Sequence, residues 1–398
     1  MCSMSNILFF TSNEIAPSIG GVERVASIMF RELTLRGHKI YTVYYIKTDV
    51  PDKLPDQYQL PLVSKLNAKE NLNFLDDLIR DKQINIVINL GGLYNNSSSL
   101  IVKACRDSEI PHISVYHNSF DSLLWSWHPF AKLMKYYSCR KLLQFILALV
   151  ERFPLYKGAK YIYKYTHTAV VLSDCYIKEF RFFVNLTANR VVSICNPLPI
   201  SIERRTQWAE KENIVLFVGR LDSQKGLDKM LRIWSHINSN GWKLQIVGTG
   251  PLESKLKKMA VQLSINNIEF LGHQSPFEFY RKAKIFCMTS LYEGYPMVLI
   301  ESMAYGCVPI MFNSYSAAKD IAQKMGNGIA VKAFDEASFI KELMRLMAAK
   351  EELEVLHKMN LDLAERHAIA PIIDKWETLI SKAIQSKGNQ MVVRGLSD

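Results

Sequence analysis

Two glutamates, Glu293 and Glu301, stand on either side of a Gly-Tyr-Pro turn within residues 290–309. The turn precedes an apolar segment of helical length, in which Pro296 suits the first helical position and Gly306 suits the end. The first amides of a helix have no partner within it and, with the helix dipole, favour a bound phosphate. Glu301 stands among apolar residues, so its carboxylate needs a hydroxyl, amide or cation partner. Two interpretations are open: a phosphate-binding helix start, or a buried helix whose glutamate caps a neighbouring element.

A second segment, residues 218–227, places two cations, Arg220 and Lys225, just after a predicted strand. A guanidinium and an ammonium at one site can neutralise a diphosphate leaving group while its charge develops. Gly219 in this segment and Gly248 in the next strand-to-helix turn allow the backbone to approach a ligand closely. The alternative is a basic surface loop.

The first half of the chain offers weaker signals. Gly20 and Gly21 follow the first predicted strand and precede the first predicted helix, where doubly wound sheets bind ligands. A plain loop is the alternative for this glycine pair. His117 ends a later predicted strand, and a lone histidine is more often structural than functional.

The spacing of Glu293 and Glu301 resembles the Glu-x7-Glu signature of family 4 retaining glycosyltransferases (glycosyl transferases group 1), which use nucleotide sugars and have the GT-B fold. The resemblance implies that Glu293 reaches hydroxyls of the donor sugar and that Glu301 holds the ribose hydroxyls. It also implies that the diphosphate meets the turn between them, at Gly294, Tyr295, Pro296, Met297 and Val298.

Other segments resemble the same family. Residues 219–226 match its Gly-Arg and Lys-Gly pattern, which gives Arg220 and Lys225 the role of stabilising the leaving group. The resemblance places His117 beside the donor sugar, as a hydrogen-bonding group and not as a general base. It places the remaining matched residues around the nucleotide, the base and the diphosphate: Gly219, Gly248, His273, Gly20 and Gly21.

A chain of 398 residues is too long for one ordinary core, so two domains are expected. Short apolar strands alternate with helices in both halves, which predicts parallel sheets covered on both faces. The expected fold class is α/β, and the resemblance implies GT-B: two Rossmann-like doubly wound domains facing a cleft, with a C-terminal helix crossing back. The expected boundaries are 1–197 for the acceptor-side domain, 198–370 for the nucleotide-sugar domain and 371–398 for the crossover helix and tail.

The positive charge of the chain, and its concentration in one segment, indicate which molecules it binds. A net charge of +11 favours anionic partners, and no nucleic-acid-binding module is found. Residues 131–164 carry eight basic residues against one acidic residue, interleaved with aromatics, which suits an anionic membrane surface. Two ordinary surface helices with core aromatics are the alternative. Without a signal peptide or an apolar run long enough to span a bilayer, we expect a cytoplasmic protein, peripheral on the inner face of the plasma membrane.

No Asp-x-Asp motif occurs, so we expect phosphate neutralisation by cations and helix amides, with no essential metal and no other cofactor. The predicted function is transfer of a hexosyl group, with retention, from a nucleotide diphosphate sugar to a lipid-linked glycan in cell-surface polysaccharide biosynthesis. A nucleotide-sugar 2-epimerase on the same fold is one alternative. A non-catalytic nucleotide-binding protein that docks to membranes is the other.

Overall fold

The computed structural model describes residues 4–17, 19–91, 96–117, 158–184, 187–198, 206–315, 317–318, 321, 328–364 and 368–394. The chain divides into two compact units. The first contains the described residues from Met4 to Leu198 and the C-terminal helix from Ile369, and the second contains those from Thr206 to Ala368. The expected boundaries at 197 and 370 stay a prediction.

Both units are built on parallel sheets. In the described part of the first unit, the strands are β1 (Asn6–Phe10), β2 (Lys39–Tyr44), β3 (Gln57–Gln59), β4 (Ile86–Asn89), β5 (His112–Tyr116), β6 (Thr168–Val171) and β7 (Val191–Ser193). In that of the second they are β8 (Glu212–Val218), β9 (Lys243–Val247), β10 (Ile268–Phe270), β11 (Ala283–Met288), β12 (Val308–Asn313) and β13 (Ile329–Lys332).

Helices connect these strands. They are α1 (Gly21–Leu35), α2 (Lys69–Asp81), α3 (Asn96–Asp107), α4 (Asp174–Phe183), α5 (Leu227–Ser235), α6 (Glu253–Gln262), α7 (Phe277–Lys282), α8 (Met297–Ala304), α9 (Glu336–Ala348), α10 (Lys350–Ala364) and α11 (Ile369–Arg394). Residues 158–165 are also helical. None of the helices in the described part of the chain is long and apolar enough to cross a membrane.

Strand order fixes where each sheet can bind a ligand. The first sheet runs β3-β2-β1-β4-β5-β6-β7 and the second runs β10-β9-β8-β11-β12-β13. The direction of strand addition reverses between β1 and β4 in the first sheet, and between β8 and β11 in the second. Ligands of doubly wound sheets bind at such reversals, outside the carboxyl ends of the strands.

The sheets are covered on both faces, as the short apolar strands predict. All four residues of β4 and of β6 are buried. The second unit has its own core, in which Phe217, Trp234 and Phe312 are at most 3% exposed. This arrangement confirms the predicted fold class.

The C-terminal helix α11 returns to the first unit, as expected for GT-B. Arg36, at the end of α1, donates to Asp374 at 2.7 Å and also contacts Glu377. The ring of His38 lies 3.2 Å from the other oxygen of Glu377. Trp376 is 3% exposed, so α11 packs by an apolar face as well as by these ion pairs.

Candidate functional site

The loops after β8 and β9 are locked against each other by backbone contacts. Gly219 N–H donates to Val247 O at 3.0 Å, and Leu221 N–H donates to Thr249 O at 2.9 Å. Gly248 has a φ of +138°, and a Cβ there would lie 2.0 Å from Gly219 O. Glycine is therefore required at position 248 both by its backbone angle and by the closeness of the neighbouring loop.

The loop after β8 is equally fixed to the loop after β11. Gly226 has a φ of +61°, and a Cβ there would lie 2.3 Å from Thr289 O. The Thr289 hydroxyl donates to Gly226 O at 2.9 Å, and Leu291 N–H donates to Gln224 O at 2.7 Å. The two loops on either side of the strand reversal thus form one rigid support.

This support brings Lys225 and Glu293 together. Lys225 Nζ lies 2.7 Å from Glu293 Oε1, and the two side chains are 20% and 8% exposed. The residues are 68 positions apart in the sequence, and each comes from the loop at the carboxyl end of a different strand. A largely buried ion pair therefore occupies the place where this sheet is expected to bind a ligand.

Arg220, the other predicted cation, is far more accessible. Its guanidinium lies 2.6 Å from Asp222 Oδ2, yet its side chain is 72% exposed. Asp222 also accepts from Lys225 N–H, at 3.2 Å. An exposed ion pair contributes little free energy to folding, so moving Arg220 from Asp222 to a phosphate costs little. A phosphate that contacts Lys225, in contrast, has to share its ammonium with Glu293.

The turn after Glu293 leads into helix α8 one residue later than predicted. Pro296 precedes the helix with extended backbone (φ −69°, ψ 105°), and Met297 is the first helical residue. The expectation that Pro296 takes the first helical position is therefore wrong by one residue, because its ψ is not helical. Pro296 provides no side-chain cap for the first amides of α8.

Glu301 lies in the middle of α8 and is 0% exposed. It receives the hydroxyl partner that its apolar surroundings require, because Tyr280 OH donates to its Oε2 at 3.1 Å. This contact matches the interpretation of a buried helix whose glutamate binds a neighbouring element. Contact of Glu301 with a ribose stays a prediction.

Two residues that sequence reasoning missed support this carboxylate. Tyr280, on α7, is 0% exposed. Lys211, just before β8, is 7% exposed, and its ammonium donates to Tyr280 O at 2.9 Å and to Ala283 O at 2.7 Å. Burial lowers the pKa of Lys211. Lysine before a strand ordinarily indicates a solvated position, so no sequence signal predicted this buried contact.

The segment carrying His273 reaches the same edge of the sheet. Gly248 N–H donates to Gly272 O at 2.7 Å, which links the loops after β9 and β10. Gly272 has a φ of +70°, and His273 after it is exposed. The structure therefore brings Gly219, Gly248 and the segment before His273 together, while their contact with a nucleotide stays a prediction.

In the first unit, a carboxylate lies against the predicted glycine pair. A Cβ on Gly20 would lie 2.8 Å from Glu23 Oε2, whereas a Cβ on Gly21 would meet no atom of the described residues within 4 Å. Glu23 is 8% exposed, and its other oxygen accepts from Asn13 Nδ2 at 2.7 Å. Sequence reasoning missed Glu23. Its negative charge makes this loop a better place for a hydroxyl than for a phosphate.

His117 follows β5 in the first unit. Both of its ring nitrogens are shielded from solvent, and neither has a hydrogen-bond partner in the described part of the chain. Burial lowers its pKa to about 4, so the ring is neutral at pH 7. A neutral imidazole can donate from one nitrogen and accept at the other, which suits a hydrogen-bonding role.

Across the described residues, no three His, Cys, Asp or Glu side chains are grouped so that they could hold a metal ion. Metal independence of the reaction stays a prediction.

Comparison with known proteins gives a family and a fold. The family model of glycosyl transferases group 1 matches residues 200–360. An uncharacterized glycosyltransferase of Haemophilus influenzae is 25% identical over 388 residues, which cover 95% of this chain and 100% of that relative. A solved structure of Anabaena Alr3699/HepE in complex with UDP has a TM-score of 0.74 at 12% identity, covering 95% of this chain and 100% of that one.

A second relative has a more specific name. It is the GalNAc-alpha-(1->4)-GalNAc-alpha-(1->3)-diNAcBac-PP-undecaprenol alpha-1,4-N-acetyl-D-galactosaminyltransferase of Campylobacter jejuni, 32% identical over 198 residues. The match covers 48% of this chain and 55% of that protein, so it spans about half of the relative's length. The family match coincides with the second unit, which contains the Lys225–Glu293 pair. The predicted glycosyl transferases group 1 domain is thus confirmed for residues 200–360, and the chain is a glycosyltransferase of the GT-B fold.

Proposed function

We propose that the protein transfers a hexosyl group, with retention of anomeric configuration, from a nucleotide diphosphate sugar to a hydroxyl of a lipid-linked glycan. The observation that carries the proposal is the Lys225–Glu293 pair, with Arg220 beside it, at the strand reversal of the second sheet. The site thus offers cations for a diphosphate and a carboxylate for sugar hydroxyls. The undecaprenol-linked substrate in the name of the Campylobacter relative supports a lipid-linked acceptor and a role in cell-surface polysaccharide biosynthesis.

The two cations act on the leaving group of the reaction, the nucleoside diphosphate. As the bond between the anomeric carbon and the phosphate oxygen breaks, negative charge grows on the diphosphate. Arg220 and Lys225 stabilise that charge, with help from the first amides of α8. The exposed Arg220 swings from Asp222 to the phosphate, while Lys225 contacts it from its fixed position beside Glu293.

The two glutamates orient the donor. Glu293 accepts hydrogen bonds from hydroxyls of the transferred sugar, and its ion pair with Lys225 sets the direction of the carboxylate. Glu301, which Tyr280 contacts, accepts hydrogen bonds from the ribose hydroxyls. Because Glu301 is 0% exposed in this structure, its carboxylate has to become accessible when the ribose binds. The neutral ring of His117 donates a hydrogen bond to the primary hydroxyl of the sugar.

The acceptor attacks the face that the diphosphate leaves, through an oxocarbenium-like transition state. The acceptor oxygen bonds to the anomeric carbon, and its proton passes to the departing phosphate oxygen. Because the phosphate takes this proton, no protein side chain has to act as the base, which is consistent with the low pKa of His117. Attack on the same face retains the configuration.

Ligand-induced thermal stabilisation tests the donor site. The full-length protein is heated with UDP, GDP, ADP, dTDP and their sugar conjugates, each with a divalent metal and with chelator. We expect a preferential increase in Tm with one nucleotide that chelator does not abolish. Product analysis by NMR with that donor then shows the anomeric configuration, and inversion contradicts the proposed mechanism. Isomerised donor formed without any acceptor identifies the 2-epimerase instead.

We also propose that the protein binds the inner face of the plasma membrane peripherally. Of the basic segment 131–164, residues 131–157 lie outside the described residues. The described helix at 158–165 exposes Lys160, Tyr161 and Lys164, and Arg106 from α3 lies over the ring of Tyr165 at 5.9 Å. Exposed cations beside aromatic rings suit anionic headgroups.

Co-sedimentation with liposomes tests this second proposal. Binding should require anionic lipid and should weaken when Lys160 and Lys164 are both changed to Glu. The matched control changes Lys255 and Lys257 to Glu, on helix α6 of the second unit. Equal binding to neutral and anionic liposomes contradicts the proposal.

A further inference from the structure

Two buried hydroxyls beside the predicted donor site lack a hydrogen-bond partner among the described residues. Ser290 follows β11 and is 2% exposed, and Tyr315 follows β12 and is also 2% exposed. In the described part of the chain, neither Ser290 Oγ nor Tyr315 OH has a partner. Most buried hydroxyls in folded proteins are paired, so two unpaired ones in neighbouring segments call for an explanation.

The two hydroxyls belong to adjacent strand ends. Strands β11 and β12 pair in parallel, with Met288 opposite Met311. Just beyond the strands, Ser314 Oγ donates to Ser290 O at 2.6 Å, which fixes the two connections side by side. The connection after β11 goes on to Glu293, three residues after Ser290. Tyr315 therefore belongs to the same edge of the sheet as the Lys225–Glu293 pair.

The electrostatics of Tyr315 also indicate that Glu293 is near. Burial raises the pKa of the Tyr315 phenol well above its ordinary value, and the charge of Glu293 raises it further. The phenol therefore stays protonated at neutral pH and can donate a hydrogen bond. A sugar that reaches the Glu293 carboxylate also comes close to this unused donor.

An unpaired buried hydroxyl destabilises the folded protein, so its presence at a core position is unfavourable unless something else uses it. Phenylalanine at position 315 would fill nearly the same volume without that penalty. The same holds for alanine at position 290. Both positions carry hydroxyls that form no hydrogen bond with the residues that the structure describes.

We propose that Tyr315, assisted by Ser290, hydrogen-bonds hydroxyls of the transferred sugar and thereby helps to select which sugar is accepted. This inference rests on the proposed function and adds two donor-binding residues to it. Sugars differ in the positions of single hydroxyls, and an enzyme group that binds one of them discriminates against the analogue that lacks it.

The test compares wild type with Tyr315→Phe and Ser290→Ala, using the preferred nucleotide sugar and its deoxy analogues. We expect Tyr315→Phe to keep or raise the Tm of the ligand-free protein and to lower kcat/KM for the full sugar by about tenfold. The loss should disappear with the deoxy analogue that lacks the contacted hydroxyl. Binding of the nucleoside diphosphate without sugar should be unchanged.

Tyr163→Phe is the matched control. Tyr163 is a buried tyrosine of the first unit whose hydroxyl accepts from Arg190 N–H at 3.1 Å, so its loss should lower Tm without changing sugar selectivity. Wild-type kcat/KM for every sugar in Tyr315→Phe and in Ser290→Ala overturns the inference. If wild type itself binds no nucleotide sugar, the proposed function is wrong. The behaviour of the variants thus tests the sugar-binding inference, and that of wild type tests the proposed function.

Discussion

Lys225 and Glu293 meet across the ends of β8 and β11, with Nζ 2.7 Å from Oε1 and side chains only 20% and 8% exposed. Arg220 and Asp222 form the neighbouring pair, but there the cation is 72% exposed. The two cations to which the sequence resemblance gives the same role, stabilising the leaving group, therefore differ in how far they are buried. Lys225 contributes to the stability of the site as well as to its charge, whereas Arg220 contributes charge alone.

Substitution should separate these roles. Arg220→Ala and Lys225→Ala should each lower kcat by about a hundredfold or more, because each removes a positive charge that stabilises the negative charge on the leaving diphosphate. Only Lys225→Ala should lower Tm, since it removes the cation from a carboxylate that is nearly buried, at a cost of about 3 kcal/mol. Steady-state rates and thermal unfolding of the same preparations measure both effects.

A double variant sharpens this prediction. Lys225→Ala combined with Glu293→Gln should regain part of the lost Tm, because no unpaired charge is left, but should not regain activity. Lys257→Ala, on the exposed face of α6, is the control and should leave kcat unchanged. Near-normal kcat in both single variants contradicts the assignment of the leaving-group cations.

Tyr280 should act through Glu301. Tyr280→Phe removes the hydroxyl that donates to Glu301 Oε2 at 3.1 Å, so the carboxylate loses one of the contacts that fix its direction. Because a hydrogen bond to a charged group is among the stronger ones, we expect KM for the donor to rise about tenfold with little change in kcat. Initial rates over a range of donor concentrations measure this change.

The first unit offers a matched control for that variant. The Tyr44 hydroxyl also pairs with a buried glutamate, Glu14. Burial first, and then the Glu14 carboxylate, raise the pKa of Tyr44 to about 12. Tyr44→Phe should lower Tm without raising the donor KM. If Tyr280→Phe behaves in the same way, Glu301 serves the structure of α8 and does not hold the ribose.

Much of the fold follows from local sequence patterns. Continuous apolar runs predict the central strands, and β1, at Asn6–Phe10, contains such a run, with four of its five residues buried. The edge strand β3, Gln57–Gln59, is short and polar, so its side chains give no strand signal, and its backbone becomes a strand by pairing with β2. Helix α11 runs from Ile369 to Arg394 and continues through Gly388, so a residue that often ends helices does not end this one.

In the candidate site, only the residues that lie on sequence motifs could be proposed from the sequence. Glu293, Lys225 and the glycines belong to compact patterns, and the structure brings those of the second unit together. Tyr280 and Lys211 could not be found in this way, because they lie 21 residues from Glu301 and 69 residues from Tyr280, respectively, and meet their partners only in the folded sheet. Contacts over such separations leave no periodic signal in a single sequence.

The glycines of the locked loops should tolerate substitution very differently. Gly248→Ala should lower stability by more than about 3 kcal/mol or prevent folding, because its Cβ would collide with Gly219 O at 2.0 Å. Gly272→Ala, also at positive φ but with no atom of the described part of the chain within 4 Å of the Cβ, should cost only about 1 kcal/mol. Thermal unfolding of purified variants measures the difference, and equal losses in both would show that backbone angle alone matters.

Acid should destabilise the protein through its buried histidines. Burial lowers the pKa of His117 to about 4 and that of His112 to about 4, from an ordinary value of 6.5. Between these values the unfolded chain binds protons that the folded chain does not, so the free energy of unfolding falls as pH drops from 6.5 toward 4. Each histidine contributes at most about 3 kcal/mol to this fall, and nothing is lost above pH 7.

Replacing one of these histidines should flatten the pH profile. In His117→Gln, the side chain cannot take up a proton, so Tm should depend less on pH between 6.5 and 4 than it does in wild type, while the profiles above pH 7 should run parallel. The remaining slope should come in part from His112, which stays paired with Thr166 Oγ1 at 3.0 Å. Thermal unfolding in a series of buffers measures both profiles. Parallel profiles over the whole range would mean that His117 is not held neutral in the folded protein, and the hydrogen-bonding role proposed for its uncharged ring would then be wrong.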